Sequence, residues 1–138
     1  MTQLDRLLDW YATLTPHSVP RAAEFYAADA HFRDPFNDVR GVAAIETIFR
    51  HMFATTESPR FIIDERVVQD GAAFVTWRFQ FALRGSPFEI VGGTHFRFND
   101  AGLVTLHRDY WDAAEELLQK LPLVGAPLRW LRRRFRAH

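Results

Sequence analysis

The sequence has no cysteine among its 138 residues, so it carries no disulfide framework, no thiolate nucleophile and no sulfur ligand for a metal. It also lacks an uninterrupted apolar run of the ~18 residues that a spanning helix needs. The opening stretch MTQLDRLLDW does not have the basic-then-apolar order of an export signal. Membrane spanning and export are therefore disfavoured, and a cytoplasmic location is expected. Repeats, low-complexity tracts and linkers are missing. There is no glycine-rich phosphate cradle: Gly92-Gly93 falls inside a strand pattern and reads as a bulge that bends a sheet. Ser18, Ser58 and Ser86 sit in caps or loops without a nucleophile elbow. His31, His51, His95 and His107 lack the close spacing of metal ligands. Neither a metal nor a cofactor is expected. Lysine occurs once against sixteen arginines, a bias read as base composition rather than chemistry.

What is present is the balance of an ordered globular chain, 48% hydrophobic, 25% charged and 14% aromatic, with length for one domain and an aromatic core. The neutral total of 17 basic and 17 acidic residues hides an asymmetry. Residues 1–116 carry all seventeen acids against eleven arginines, whereas 117–138 carry Lys120, Arg129, Arg132, Arg133, Arg134 and Arg136 and no acid. The body is a poor partner for a polyanion, and nucleic acid binding is not expected.

Periodicity divides the chain into helices first and strands later. Leu4, Leu7, Leu8, Tyr11 and Leu14 recur at helical spacing and predict a helix over residues 3–14, ended by Pro16. Ser18 ahead of Val19-Pro20 predicts the cap of a second helix continuing through Ala22, Ala23, Phe25 and Tyr26. A short strand, His31–Asp34, precedes a loop over Phe36–Gly41, and Ile45, Ile48, Phe49, Met52 and Phe53 predict a third helix over 43–53. From Pro59 the period changes to two. Strands are predicted over 60–69, 72–84, 88–98 and 103–111, joined by Asp70-Gly71, Arg84-Gly85-Ser86-Pro87 and Asn99-Asp100-Ala101-Gly102 as an antiparallel meander. The layout is α+β. The domain is expected to span 1–116. Beyond it, 117–138 forms a basic amphipathic helical tail with Leu128, Trp130, Leu131 and Phe135, packed on or beside the domain; membrane-surface docking by that tail is the less favoured alternative.

The strand 72–84 allows two readings. Ala73, Val75, Trp77, Phe79, Phe81 and Leu83 share one face, and Thr76, Arg78 and Gln80 share the other. Either the apolar face meets the helices and Arg78 meets water, or a curved sheet turns Arg78 into a pocket and buries its apolar convex face against a second subunit.

The order helix, helix, a short strand ending in Arg33-Asp34-Pro35, helix and four long strands resembles the nuclear-transport-factor-2-like, or SnoaL-like, superfamily over residues 3 to about 112. The resemblance implies a cone: a curved antiparallel sheet wrapped around three N-terminal helices, enclosing an apolar cavity. It favours the second reading of strand 72–84, hence a homodimer through the face carrying Val75, Trp77, Phe79 and Phe81. The stretch Leu106-His107-Arg108-Asp109-Tyr110-Trp111-Asp112 is similar to the last strand of polyketide cyclases and limonene epoxide hydrolase, which implies that Asp109 is the catalytic acid/base. Phe74-Val75-Thr76-Trp77-Arg78-Phe79-Gln80 resembles the epoxide hydrolase strand in which an arginine lies between two carboxylates, but Gln80 stands at the second acid. Asp34 before Pro35 resembles the general base of ketosteroid isomerase. Thr94, however, replaces the protonated acid of its oxyanion hole, and Trp10 falls at the helix-one tyrosine, with Tyr11 one residue away.

The resemblance thus implies catalytic roles for Asp109 and Asp34 in moving protons, and for Arg78 and His107 in steadying negative charge. Trp10, Phe32, Gln80, Thr94, Phe96 and Trp111 would contact substrate. Bland readings stand beside these: Asp109–Arg78 as a structural ion pair, Asp34 as a turn organiser, and His107 as a hydrogen-bonded core histidine. The function expected is cofactor-independent acid/base catalysis of the isomerase, cyclase or lyase kind on a small hydrophobic carbonyl compound. The alternatives are a noncatalytic ligand-binding or dimeric assembly module, and an epoxide hydrolase-like activity weakened by Gln80.

Overall fold

A computed structural model describes residues 2–111. The boundary at 116–117, the tail helix and its membrane docking lie outside those residues. Helix α1 (Gln3–Ala12) starts at a capping box: the Thr2 side chain accepts from the Asp5 N–H, and the Asp5 carboxylate accepts from the Thr2 N–H. That second bond, together with Arg66, holds the Asp5 carboxyl down at about 2. Leu7, Leu8, Trp10 and Tyr11 form the buried face of α1. The expected second helix is a short 3-10 helix, Val19–Glu24, and the Ser18 side chain does not cap it. Instead, the Ser18 hydroxyl accepts from the Thr15 N–H. Tyr26 belongs to strand β1 (Tyr26–Arg33), which starts well before the predicted His31. The loop expected over 36–41 contains a small strand, β2 (Asp38–Arg40). Helix α2 spans Val42–Thr55 and buries Ile45 and Phe49.

The remaining strands are β3 (Glu57–Gln69), β4 (Ala72–Leu83), β5 (Ser86–Phe98) and β6 (Val104–Tyr110). They form the expected antiparallel meander, and the full sheet has the order β2-β1-β6-β5-β4-β3. Two tight turns set its register. Asp70-Gly71 and Arg84-Gly85 place both central residues at positive φ, 29° and 76° in one and 51° and 80° in the other. This mirror-image turn geometry suits the right-handed twist of the paired strands. The sheet is not wholly antiparallel, because β1 runs parallel to β6. The chain reaches β1 from the helices rather than through a hairpin, so it joins the sheet beside the last strand.

Two apolar clusters line the inner face of the sheet. In the first, α1 and α2 bring Leu7, Trp10, Tyr11, Ile45 and Phe49 against Phe32, Val75, Phe96 and Val104. In the second, Trp77, Phe81 and Ile90 gather Ile63, Phe79, Leu83, Phe88 and Trp111. The face of β4 carrying Val75, Trp77, Phe79 and Phe81 is therefore the inner one. The stripe assigned to a dimer interface faces the inside of the chain's own sheet, Val75 in the cluster with the helices and Trp77, Phe79 and Phe81 in the second cluster, which removes the argument that it needs a second subunit. Among the described residues no helix is long and apolar enough to cross a membrane.

Candidate functional site

Strand β6 aims alternate side chains inward, and its pairing with β5 sets Thr94 opposite Asp109 and Phe96 opposite His107. A continuous hydrogen-bonded chain follows. The Trp77 indole N–H donates to the Thr94 hydroxyl at 2.8 Å, and Thr94 Oγ1 donates to Asp109 Oδ1 at 2.5 Å. On its other side, His107 Nε2 lies 2.8 Å from the same Asp109 oxygen. His107 Nδ1 faces two phenols, Tyr26 at 2.8 Å and Tyr11 at 3.0 Å, and these two hydroxyls touch each other. Because the carboxylate can only accept, the network assigns the histidine proton to Nε2 and leaves Nδ1 to accept from a tyrosine. Burial, reinforced by the negative charge of Asp109, pushes the Tyr26 phenol well above its ordinary range, so it remains a donor. The donors of both arms converge on Oδ1; Oδ2 has no partner among the described residues.

Asp109 borders a small inner void of ≈40 Å³ and a cavity of ≈350 Å³. The larger space is walled by Phe32, Phe49, Phe61, Trp77, Phe79, Phe81 and Trp111. The glycine at 92 lets one wall lie flat. A Cβ there would come 2.7 Å from Trp77 Cη2 and 2.9 Å from the Tyr110 carbonyl oxygen. Pairing of β4 with β5 is uninterrupted through Gly92 and Gly93. The pair therefore serves close approach of rings, Trp77 inside and Phe74 outside, rather than the bulge predicted. Gly92→Ala is expected to lose about 1–3 kcal/mol of stability through overpacking. It should also displace the Trp77 indole from Thr94, read by denaturant unfolding and by a changed near-ultraviolet tryptophan signal.

The predicted site residues divide sharply. Asp109, His107 and Thr94 are brought together, Phe32 and Trp111 line the larger cavity, and Phe96 lines the inner void. Asp34 borders the larger cavity, but its carboxylate organises the turn, accepting from the Phe36 and Asn37 backbone N–H groups and from the Asn37 side chain. Trp10 lies in the core, 2% exposed, donating to the Ser18 carbonyl. The adjacent tyrosine reaches the site instead. Arg78 and Gln80 face outward: Arg78 pairs with Asp64 and Gln80 with Glu89. The Asp109–Arg78 ion pair does not form, because the inner face of β4 belongs to its apolar residues. Arg78→Ala is accordingly expected to leave ligand affinity and any turnover within about twofold of wild type, as for other half-exposed ion pairs; titration and steady-state assays check this.

Tyr11, Tyr26 and Trp77 were not among the residues read from the sequence as contacting substrate or catalysing. The signal for Trp77 was its place on the apolar face of β4; Tyr26 was hidden by its assignment to a helix. Among the described residues no group of three His, Asp or Glu side chains is placed to hold a metal ion.

Comparison with known proteins gives the fold a family. A hypothetical protein with a ketosteroid isomerase-like fold from Catenulispora acidiphila, in complex with trimethylamine, has a TM-score of 0.73 at 19% identity, over 90% of this chain and 95% of that one. An NTF2-like protein of unknown function from Burkholderia pseudomallei has a TM-score of 0.72 at 16% identity, over 83% and 95%. An LEH-like epoxide hydrolase from M. tuberculosis has a TM-score of 0.66 at 18% identity, over 83% of each chain. These likenesses are of fold. No curated protein matches the sequence. The SnoaL-like domain model matches residues 7–107, the stretch from the first buried leucine of α1 to the histidine beside Asp109, and this chain belongs to the SnoaL-like domain family.

Proposed function

We propose that the larger cavity binds a small hydrophobic compound and that Asp109 acts on it as a general base, in acid/base chemistry that uses no cofactor. One observation carries this reading: Asp109 borders an aromatic cavity, and while its Oδ1 is fixed by Thr94 and His107, its Oδ2 has no protein partner among the described residues. A base acts within hydrogen-bond reach of the proton it takes. Here the donors orient the carboxylate before a guest arrives, which supports a positioned base rather than a carboxylate that must be organised at each turnover. His107, Thr94 and, through it, Trp77 are positioning residues. Tyr11 and Tyr26 hold His107 by its far nitrogen.

The reading departs from two related chemistries. An epoxide opened between two acids needs a proton donor opposite the base, and the outward-facing Arg78 and Gln80 give that mechanism no support. Enolate formation needs a stabiliser for the oxyanion, and the two tyrosine hydroxyls are engaged by His107. A second reading, a noncatalytic ligand pocket, is favoured by the same scarcity of free donors. Turnover separates the two: a broad panel of enolisable ketones, lactones, epoxides and amines is assayed with wild type and with Asp109→Asn. Turnover by wild type that Asp109→Asn abolishes supports the base. Turnover that survives the substitution, or none with any compound, moves the assignment to binding.

A further inference from the structure

We infer that the guest of the larger cavity is a hydrophobic amine, bound as its ammonium ion with an N–H donating to Asp109 Oδ2. The inference rests on the proposal that this cavity is the ligand site and names its ligand class; because the ammonium takes the oxygen a general base would use, it belongs with the ligand-binding reading of the cavity.

Three independent features of the lining lead there. The first is charge. The ionisable side chains bordering the cavity are Asp34, Asp109 and His51, and the described residues contribute no lysine or arginine to it. The second is hydrogen-bonding sense. The donors around the space are already spent: Trp77 on Thr94, Thr94 on Asp109, Thr55 on the His51 carbonyl, Thr56 on the Met52 carbonyl and the Asn37 amide on Asp34. The donors left are the His51 ring, which is solvent-exposed, and the Trp111 indole N–H, which is half-buried. A carbonyl or carboxylate guest would find at most these two to replace its hydrogen bonds to water. A guest that brings its own N–H finds an acceptor waiting at Asp109 Oδ2. The third is the walls. Phe49, Phe61, Trp77, Phe79 and Trp111 border the same space, and aromatic faces carry the negative end of the ring quadrupole, which attracts cations. Carboxylate and π faces thus favour one ligand charge, while the same rings bury the ligand's apolar substituents.

The test is titration of the full-length protein, followed by tryptophan fluorescence, with four probes of similar size: N,N-dimethylbenzylamine, its uncharged isostere isobutylbenzene, phenylacetate, and benzyltrimethylammonium, a cation with no N–H. At neutral pH N,N-dimethylbenzylamine is expected to bind at least about tenfold more tightly than isobutylbenzene, and phenylacetate least, from the charge-assisted bond and the ring faces together. The advantage should vanish as pH rises through the amine's own pKa, whereas benzyltrimethylammonium binding stays flat over that range. In Asp109→Asn the amine should lose most of its advantage over isobutylbenzene, keeping only the part the ring faces supply, and binding of isobutylbenzene by that variant verifies that its cavity is intact. Asp34→Asn should retain most of the preference. Isobutylbenzene or phenylacetate binding as tightly as the amine overturns the ammonium assignment while leaving the cavity as the site. Failure of all four probes to bind overturns both.

Discussion

Asp109→Asn is expected to lower turnover by about 10²–10⁴-fold, the loss that follows removal of a positioned general base. The fold and the affinity for an uncharged hydrophobic probe should be unchanged. The substitution suits the question because asparagine has the shape of aspartate and the network dictates how it sits. Thr94 Oγ1 and His107 Nε2 both address Oδ1, so the asparagine carbonyl takes that place and its amide nitrogen takes the place of Oδ2. The atom left without a protein partner among the described residues thereby changes from an acceptor to a donor, with no change in volume. A steady-state comparison of kcat and KM, with unfolding curves for both proteins, checks the prediction. A variant that retains wild-type kcat would remove Asp109 from the chemistry.

The second large effect concerns stability. Trp10→Ala is expected to destabilise the protein by about 3–5 kcal/mol in denaturant unfolding, the cost of removing a large buried ring that the surroundings cannot collapse around. The Trp10 indole packs against the rings of Tyr11, Phe25, Tyr26 and Phe49 at centroid distances of 5.1–6.4 Å. Its N–H donates 2.9 Å to the Ser18 carbonyl, tying α1 to the start of the 3-10 helix. The truncation therefore leaves a void and removes one of the two hydrogen bonds the Ser18 carbonyl accepts, the other coming from the Arg21 N–H. Against a total of roughly 5–15 kcal/mol for a domain, the loss removes a large share of the folded state's margin. Trp10→Phe restores most of the volume but not the bond, and should cost about 1–2 kcal/mol. A truncation costing under about 1 kcal/mol would mean that the tryptophan is not part of the core.

The family and the meander were legible because their signals are local. The period changes at Pro59, Asp70-Gly71 and Arg84-Gly85 mark tight turns, and His107 and Asp109 are two apart on one strand, so alternation alone puts them on one face. The inner direction of β4 was not local. Parity separates Val75, Trp77 and Phe79 from Arg78 and Gln80, but which set faces inward depends on what packs there, and the helices and the walls of the cavity claimed the apolar set. Tyr26 escaped notice because Ala22, Phe25 and Tyr26 read equally well as a helical turn. Its arrival at His107 depends on the parallel pairing of β1 with β6, a contact between distant parts of the chain that no local pattern encodes. Asp34 shows the opposite case: Asp before Pro with Asn37 nearby is a turn signal, and the turn is what its carboxylate serves.

The sheet order also constrains how the molecule can be made. Strand β6 is the last to be synthesised among the described strands, yet it lies between β1 and β5 and is the element that joins the β1–β2 hairpin to β3–β5. A ribosome that has not yet delivered Val104 holds two separate sheet fragments, with Tyr26 and Thr94 on different pieces. The polar chain around Asp109 is therefore in two parts, Trp77–Thr94 on one and Tyr11–Tyr26 on the other, until the final strand brings His107 and Asp109 between its neighbours and joins both seams.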